Sequence, residues 1–509
     1  MRLLTVIFFL VVSASTTAQL KQVSIVQFGA IGDGKTLNTA GIQKAIDQIA
    51  SKGGGTVQIP KGVFVTGSIF LRSNIILELL PGSVLMGSPN RLDYGQSPCD
   101  AMINAIEVSN IAIKGTGIID GNAKQVLQSL FDELKSGRLT DRDWPKKRPT
   151  ESNRPKIIHF FKSKKINIST VSIQNGCTWI QSYERCDQVN IKGIKVNSTS
   201  YWNNDGLDIV DSKNVLIENC TINSSDDAIC LKSESAELDS VVNVKVLNCS
   251  LRSSANAFKI GTGSRGGFKN IYVKGLIIYD TYRSAIALEA VDGAFLKNIT
   301  IEGVRARNTG NGIFVKLGKR NKDERFSTVQ DITIRNVSVQ IPAGKPDKGY
   351  ELEGPLLKYP PGIKPGDQLS ISPWNKAPDD TASIEYLHHV FPASISSLPE
   401  HPVKNIKLEN IELSYEGRND ASIPYFPIDS LHLITEAVTA YPEFSMFGEL
   451  PCWGFYFRHV DGLSIKNLRL FQKNKEPRIA VVYDDVNYLN FEDINVPNTE
   501  RVYRNVKRK

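Results

Sequence analysis

Between Asn203 and Lys232 the chain crowds four carboxylates into two short segments of similar shape. The first reads Asn203-Asn204-Asp205-Gly206-Leu207-Asp208, and the second reads Asp226-Asp227-Ala228-Ile229-Cys230-Leu231-Lys232. Neighbouring carboxyl groups cannot all ionise freely, so one keeps its proton near neutral pH while another stays charged. A protonated acid beside an ionised one is the equipment for hydrolysing a glycosidic bond. One group protonates the leaving oxygen, and the other activates water. An isolated Asp-Gly is more simply a turn, since short polar side chains favour turns. Two such segments in register weigh against that plain reading.

Register requires a repeat, and the chain has one. Short apolar-alternating runs recur at 111–115, 166–169, 189–194, 215–220, 242–247, 269–273, 297–301, 331–337, 404–411 and 462–468, many followed by Asn or Gly. A repeat of this length, built from brief strands and Asn/Gly turns, marks a solenoid. The Leu-Asn framework of leucine-rich repeats is missing, and a propeller blade would need a longer unit. The expectation is an all-β parallel β-helix. Residues one coil apart then stack about 4.8 Å apart along the axis. Asp205 and Asp226 become candidates for neighbouring rungs. Asn256 and Lys259 would follow, with Arg283 and Glu289 beyond them. Such a polar column suits a linear polymer.

The rest of the chain frames this core. Ile42, Ala45, Ile46 and Ile49 predict an amphipathic helix over 40–50, placed to cap the solenoid's open end. Val126, Leu127, Leu130, Phe131 and Leu134 predict a second helix within an insertion at about 123–156. That insertion also carries a basic loop with Arg142, Arg148 and Arg154. A second insertion, at about 341–401, is rich in Pro and Gly and holds Trp374 and the His388-His389 pair. Long insertions in a compact protein are more often functional than idle. The aromatic stretch 440–456 is divided evenly between core packing and sugar stacking.

Residues 1–18 pair Arg2 with a short apolar run and end in small residues at Ala18. This reads as an export signal, leaving 19–509 as one catalytic β-helix in the periplasm or outside the cell. No later run is long enough to cross a bilayer as a helix. The formal charge of +8 over 509 residues is mild. The scattered basic residues give no reason to expect nucleic acid as a partner. Seven cysteines leave at least one unpaired. Cys220 and Cys249 are expected to stack as buried residues, while Cys177 and Cys186 are candidates for a disulfide. No spacing matches a metal motif, so no metal or other cofactor is expected, and the chain is read as a monomer.

The carboxylate motifs also carry a resemblance. Asn203-Asn204-Asp205-Gly206 and Asp226-Asp227, with Phe28-Gly-Ala-Ile-Gly-Asp-Gly and Gly53-Gly-Gly-Thr-Val-Gln-Ile-Pro-Lys-Gly upstream, are similar to motifs of glycoside hydrolase family 28. The likeness spans roughly 23–340. It implies a right-handed β-helix and metal-free hydrolysis with inversion of a pectic polysaccharide or oligosaccharide. It further implies Asp226 as general acid, with Asp205 and Asp227 activating water. Asn203, Asp208, Lys232, Asn256, Lys259, Arg265, Arg283 and Glu289 are the expected substrate-binding set. Two departures stand out. The family's Gly-His-Gly aligns with Ala255-Asn256-Ala257, and its Arg-Ile-Lys, which holds a galacturonate carboxylate, aligns near Ala287-Leu288-Glu289. A glutamate there disfavours plain polygalacturonan. The sugar at that subsite is then neutral, such as rhamnose, or Lys259, Arg265 or Arg283 supplies the charge. A rhamnogalacturonan or other mixed chain is the favoured substrate. A lyase, or a carbohydrate-binding β-helix without catalysis, are the rival readings.

Overall fold

The computed structural model describes residues 21–144, 148–347, 350, 391–417, 427–447, 450–474 and 477–496. The expected export signal, Trp374 and the His388-His389 pair lie outside the described residues.

Among the described residues, thirty strands join one network in which every strand pairing is parallel. Each coil contributes one strand to each of three sheets. Leu207–Val210, Lys213–Glu218 and Thr221–Ser224 form one coil. They pair onto Ile229–Ser233, Ser240–Leu247 and Ser250–Ser253 of the next. Alternation along each strand sends every second side chain inward. One inward column runs Tyr183, Ile209, Leu231, Ile260, Leu288, Val315, Ile395 and Phe457, all inaccessible to solvent. This is a right-handed parallel β-helix.

The turns carry the Asn residues that recur in the sequence. Asn214, Asn243, Asn270 and Asn298 each have φ between 56° and 58°, a left-handed conformation that Asn tolerates better than most residues. Each Asn amide donates to the residue one coil earlier, from Asn298 through Asn270 and Asn243 to Asn214 and Asp187, at 2.8–3.0 Å. The ladder satisfies polar turns and locks the rungs in register.

Helix α1, Thr39–Ser51, buries the four apolar residues expected of it and covers the N-terminal end of the core. Asn38 makes no side-chain cap bond to α1; its amide ties Ile31 and Thr36 instead. Helix α2, Ala123–Ser136, buries Val126, Leu127, Leu130, Phe131 and Leu134. Trp144 stacks on Phe131 at 5.7 Å, bringing the following loop over the solenoid. All seven cysteines are free thiols, so the Cys177–Cys186 bridge does not form. Cys177 instead packs in the buried core, as do Cys220 and Cys249.

Candidate active site

Backbone pairing sets the carboxylates on successive rungs. The Gly206 amide donates to the Asp227 carbonyl at 2.9 Å, and the Asp226 amide reaches the Asn204 carbonyl at 3.4 Å. The Ala228 amide donates to Asn256 one coil further on. The turn before Asp205 is fixed by Asn204, fully buried. Its oxygen accepts from Ser198, and its amide donates to Gly176 and Thr178. Gly206 is required by close approach: a Cβ there would sit 2.3 Å from Ile222 and 2.7 Å from the Ala228 carbonyl. On the next coil, Ser224 and Ser253 both donate to the Asp226 carbonyl at 2.7 Å. The two acidic turns are therefore held from both sides.

Each acid meets different partners. Asp227 accepts from the Asn256 amide and side chain at 3.0 and 2.9 Å, and from Lys259 at 3.0 Å. Burial opposes its ionisation. Lys259, Arg283, Lys232 and the Asn256 bond outweigh burial and hold its carboxyl below the usual range. Asp226 is more open, and among the described residues its carboxylate accepts only the Asp227 amide, at 2.9 Å. Burial and the neighbouring Asp227 charge push its pKa up. Burial does the same to Asp205, with Asp208, Asp226 and Asp227 adding to it and Lys232 opposing. The Lys232 ammonium bridges Asp205 and Asp208 at 2.7 Å each, and those anions hold its proton firmly. The cluster therefore carries both a proton-holding and a proton-free carboxyl, and its titration belongs to the group.

A cleft of about 690 Å³ opens over these rungs. Asn203, Asp205, Asp226, Asp227, Lys232, Lys259 and Arg283 line it, as the sequence leads one to expect of surface-facing site residues. Four other expected contacts do not. Asp208 is wholly buried behind Lys232. Asn256 is buried and spent on Asp227 and the Ser284 amide. Glu289 lies under the wall, accepting from Thr262 at 2.8 Å with Lys259 at 3.6 Å. Burial lifts its pKa to about 7. Arg265 points to solvent on the adjoining turn, away from the cleft lining. The pleat or the next rung covers Asp208, Asn256 and Glu289, whereas Arg265 is exposed outside the cleft lining.

The structure adds residues that sequence reasoning left unassigned. Trp179 stands one rung before Asp205, since the following Ile180 amide donates to the Asp205 carbonyl. Lys232 lies 3.5 Å from the centre of its ring. The loop after α2 supplies Asp143, Arg148, Thr150, Glu151 and Arg154. Asp141 organises that loop, accepting from Trp144, Thr150 and Asn153. Buried Arg154 anchors it to the site, donating to the Cys177 and Trp202 carbonyls and to Asn203. From the far side, the segment 427–447 crosses the same face. Lys316 donates to the Glu436 carbonyl at 2.8 Å, and Arg458 grips Ile434 and Glu436 at 2.7 Å each. This strap brings Tyr441 beside Lys259 and Glu443 to Arg283 at 2.8 Å. Within the aromatic stretch, Tyr441 is half-exposed in the cleft, whereas Phe444, Phe447, Trp453, Phe455 and Tyr456 are buried.

Asp205, Asp227 and Cys230 bring ligand atoms within 4.8 Å of one another. The fit to a cation is poor. Ammonium groups already meet both carboxylates, and Cys230 is a buried thiol whose pKa burial drives well up, bonded to the Gly261 carbonyl at 3.0 Å.

Residues 50–341 match the family model described as Glycosyl hydrolases family 28. The chain belongs to that family. It is a glycoside hydrolase. An exo-poly-α-D-galacturonosidase of Dickeya chrysanthemi is 26% identical over 79% of this chain and 73% of that protein. An endo-polygalacturonase of Pectobacterium carotovorum subsp. carotovorum is 26% identical over 60% of this chain and 80% of its own length. Among solved structures, a family 28 exopolygalacturonase of Yersinia enterocolitica superposes with a TM-score of 0.63 at 18% identity. It covers 94% of this chain and 80% of that one. An endo-xylogalacturonan hydrolase of Aspergillus tubingensis gives 0.51 at 16% identity, covering 92% and 96%. These likenesses to solved structures establish the fold.

Proposed function

We propose that this glycoside hydrolase cleaves a galacturonate-containing pectic chain with inversion, and prefers a mixed chain such as rhamnogalacturonan to plain polygalacturonan. Asp226, whose proton is held by burial and by Asp227, acts as general acid toward the leaving oxygen. Asp227, kept ionised by Lys259 and Asn256, draws the proton from an attacking water, with Asp205 holding that water from the preceding rung. Inversion needs room for water between the acid and a carboxylate facing it, which one coil of rise plus a sideways offset supplies between Asp226 and Asp205. Lys232, Lys259 and Asn256 position the acids.

One observation carries the substrate preference: the cations beyond Asp226 are already neutralised. Lys259 lies between Asp227 and Glu289, and Arg283 is paired with Glu443. A substrate carboxylate arriving there would have to displace a buried carboxylate, so a neutral sugar is favoured. The named relatives support the plain polygalacturonan reading instead. The Arg283–Glu443 pair separates the two.

The walls of the cleft, built from Asp143 and 148–154 on one side and 427–447 on the other, support release of short products from a chain end. Residues 1–18 are proposed to direct export, and 19–509 to act as a monomer.

The deciding experiment offers rhamnogalacturonan and polygalacturonan oligosaccharides side by side. The proton NMR signal of the newly formed anomer should show inversion, and rhamnogalacturonan should turn over faster. Retention of configuration, or a preference for polygalacturonan, sinks the corresponding half of the proposal. Unsaturated products absorbing in the near ultraviolet would replace hydrolysis with elimination.

A further inference from the structure

We infer that Arg148 is the residue that binds a uronic acid carboxylate in this cleft, on the Asp205 side of the acid cluster; the inference rests on the pectic reading above. Among the described residues, the cations lining the cleft are Arg148, Arg154, Lys232, Lys259, Arg283 and Arg320. Five have fixed work. Lys232 serves Asp205 and Asp208, Lys259 serves Asp227 and Glu289, and Arg283 serves Glu443. Arg320 makes a two-pronged pair with Asp292 at 2.9 and 2.7 Å. Arg154 is buried and spends its guanidinium on two carbonyls and Asn203.

Arg148 differs from all of them. It is half-buried on the cleft wall. Among the described residues, no carboxylate stands within ion-pair distance of it. Asp143 on the same segment is paired with Arg142. The guanidinium is a planar fork matched to a carboxylate and always charged. Its backbone is held nearby: Asp141 ties Thr150 through both amide and hydroxyl at 2.8 and 2.7 Å, and Asn153 at 2.7 Å. Arg154 then joins the segment to Asn203, next to Asp205. The cleft thus has ion-paired cations on the Lys259 side and an available one on the loop that Arg154 joins to Asn203. An alternating chain of acidic and neutral sugars fits that asymmetry, with the uronate placed toward Arg148.

The test is equilibrium binding to the full chain carrying Asp226→Asn, followed through tryptophan fluorescence, because Trp179 lies in the cleft wall. The probes are a rhamnogalacturonan tetrasaccharide with free carboxylates and the same compound methyl-esterified. The parent should bind the free acid roughly tenfold or more tighter than the ester, as expected for a hydrogen-bonded charge pair. Arg148→Gln should abolish that difference while leaving ester binding unchanged, and Arg148→Lys should restore part of it. A preference that survives Arg148→Gln, or a parent with no preference or no binding, overturns the assignment. Turnover by the unmodified enzyme is scored separately. Failure to hydrolyse any pectic oligosaccharide would count against the proposed function, whereas the binding contrast speaks to Arg148 alone.

Discussion

Asp226 and Asp227 are adjacent in sequence and opposite in behaviour because their second partners differ. Asp227 has Lys259 and both Asn256 donors, while Asp226 has one backbone amide. Activity should rise with pH as Asp227 loses its proton and fall again as Asp226 loses its own. Asp226→Asn is expected to lower kcat/KM by roughly 10²–10⁴-fold, the usual worth of a general acid. Lys259→Met removes the cation that holds Asp227 ionised. Its acid limb should move to higher pH by about 1 unit or more in a kcat/KM profile. Glu443→Gln leaves Arg283 without its anion, so the Asp226 proton is held less tightly. The alkaline limb should move to lower pH, and KM for polygalacturonan oligosaccharides should fall. A profile unchanged in both variants would remove the acid and base assignments.

The rung is the element that matters here, and its register depends on the turns. Asn243 has φ of 58° and both donates and accepts in the asparagine ladder. Asn243→Ala keeps the fold but forces an alanine into the left-handed region and breaks two ladder bonds. It should cost roughly 1–3 kcal/mol, read as a lower melting temperature. The strap and the loop after α2 contribute differently. Neither belongs to the repeat, yet each puts residues on the cleft wall. The α2 pattern is readable at helical spacing because its core face is apolar. The path of the loop is not, because it is set by Asp141 bonding across the loop to Thr150 and Asn153 and by Arg154 reaching Cys177 and Trp202 further along the chain.

At the scale of the whole molecule, stability comes from stacked inward columns rather than from covalent crosslinks. All seven cysteines are free, so reducing agent should leave the melting temperature unchanged. A drop on reduction would contradict the thiol assignment. The two walls make the groove of a solenoid into a short cleft. Digestion of a long pectic chain should therefore yield short products from the first minutes, visible by size-exclusion chromatography. A ladder of intermediate sizes would point to an open groove.

The sequence by itself determined the β-helix, the capping helix and the neighbouring rungs of Asp205 and Asp226, because periodicity and stacking are local and repeat. It also located the two departures at Asn256 and Glu289. Only the tertiary structure decided what those departures do. Asn256 turns inward to Asp227, and Glu289 lies beneath the wall beside Lys259, so neither is a surface contact. Tyr441 meets Lys259 across 182 residues of chain. Contacts of that kind leave no periodic trace, since they depend on where an irregular strap lands and not on the repeat it crosses.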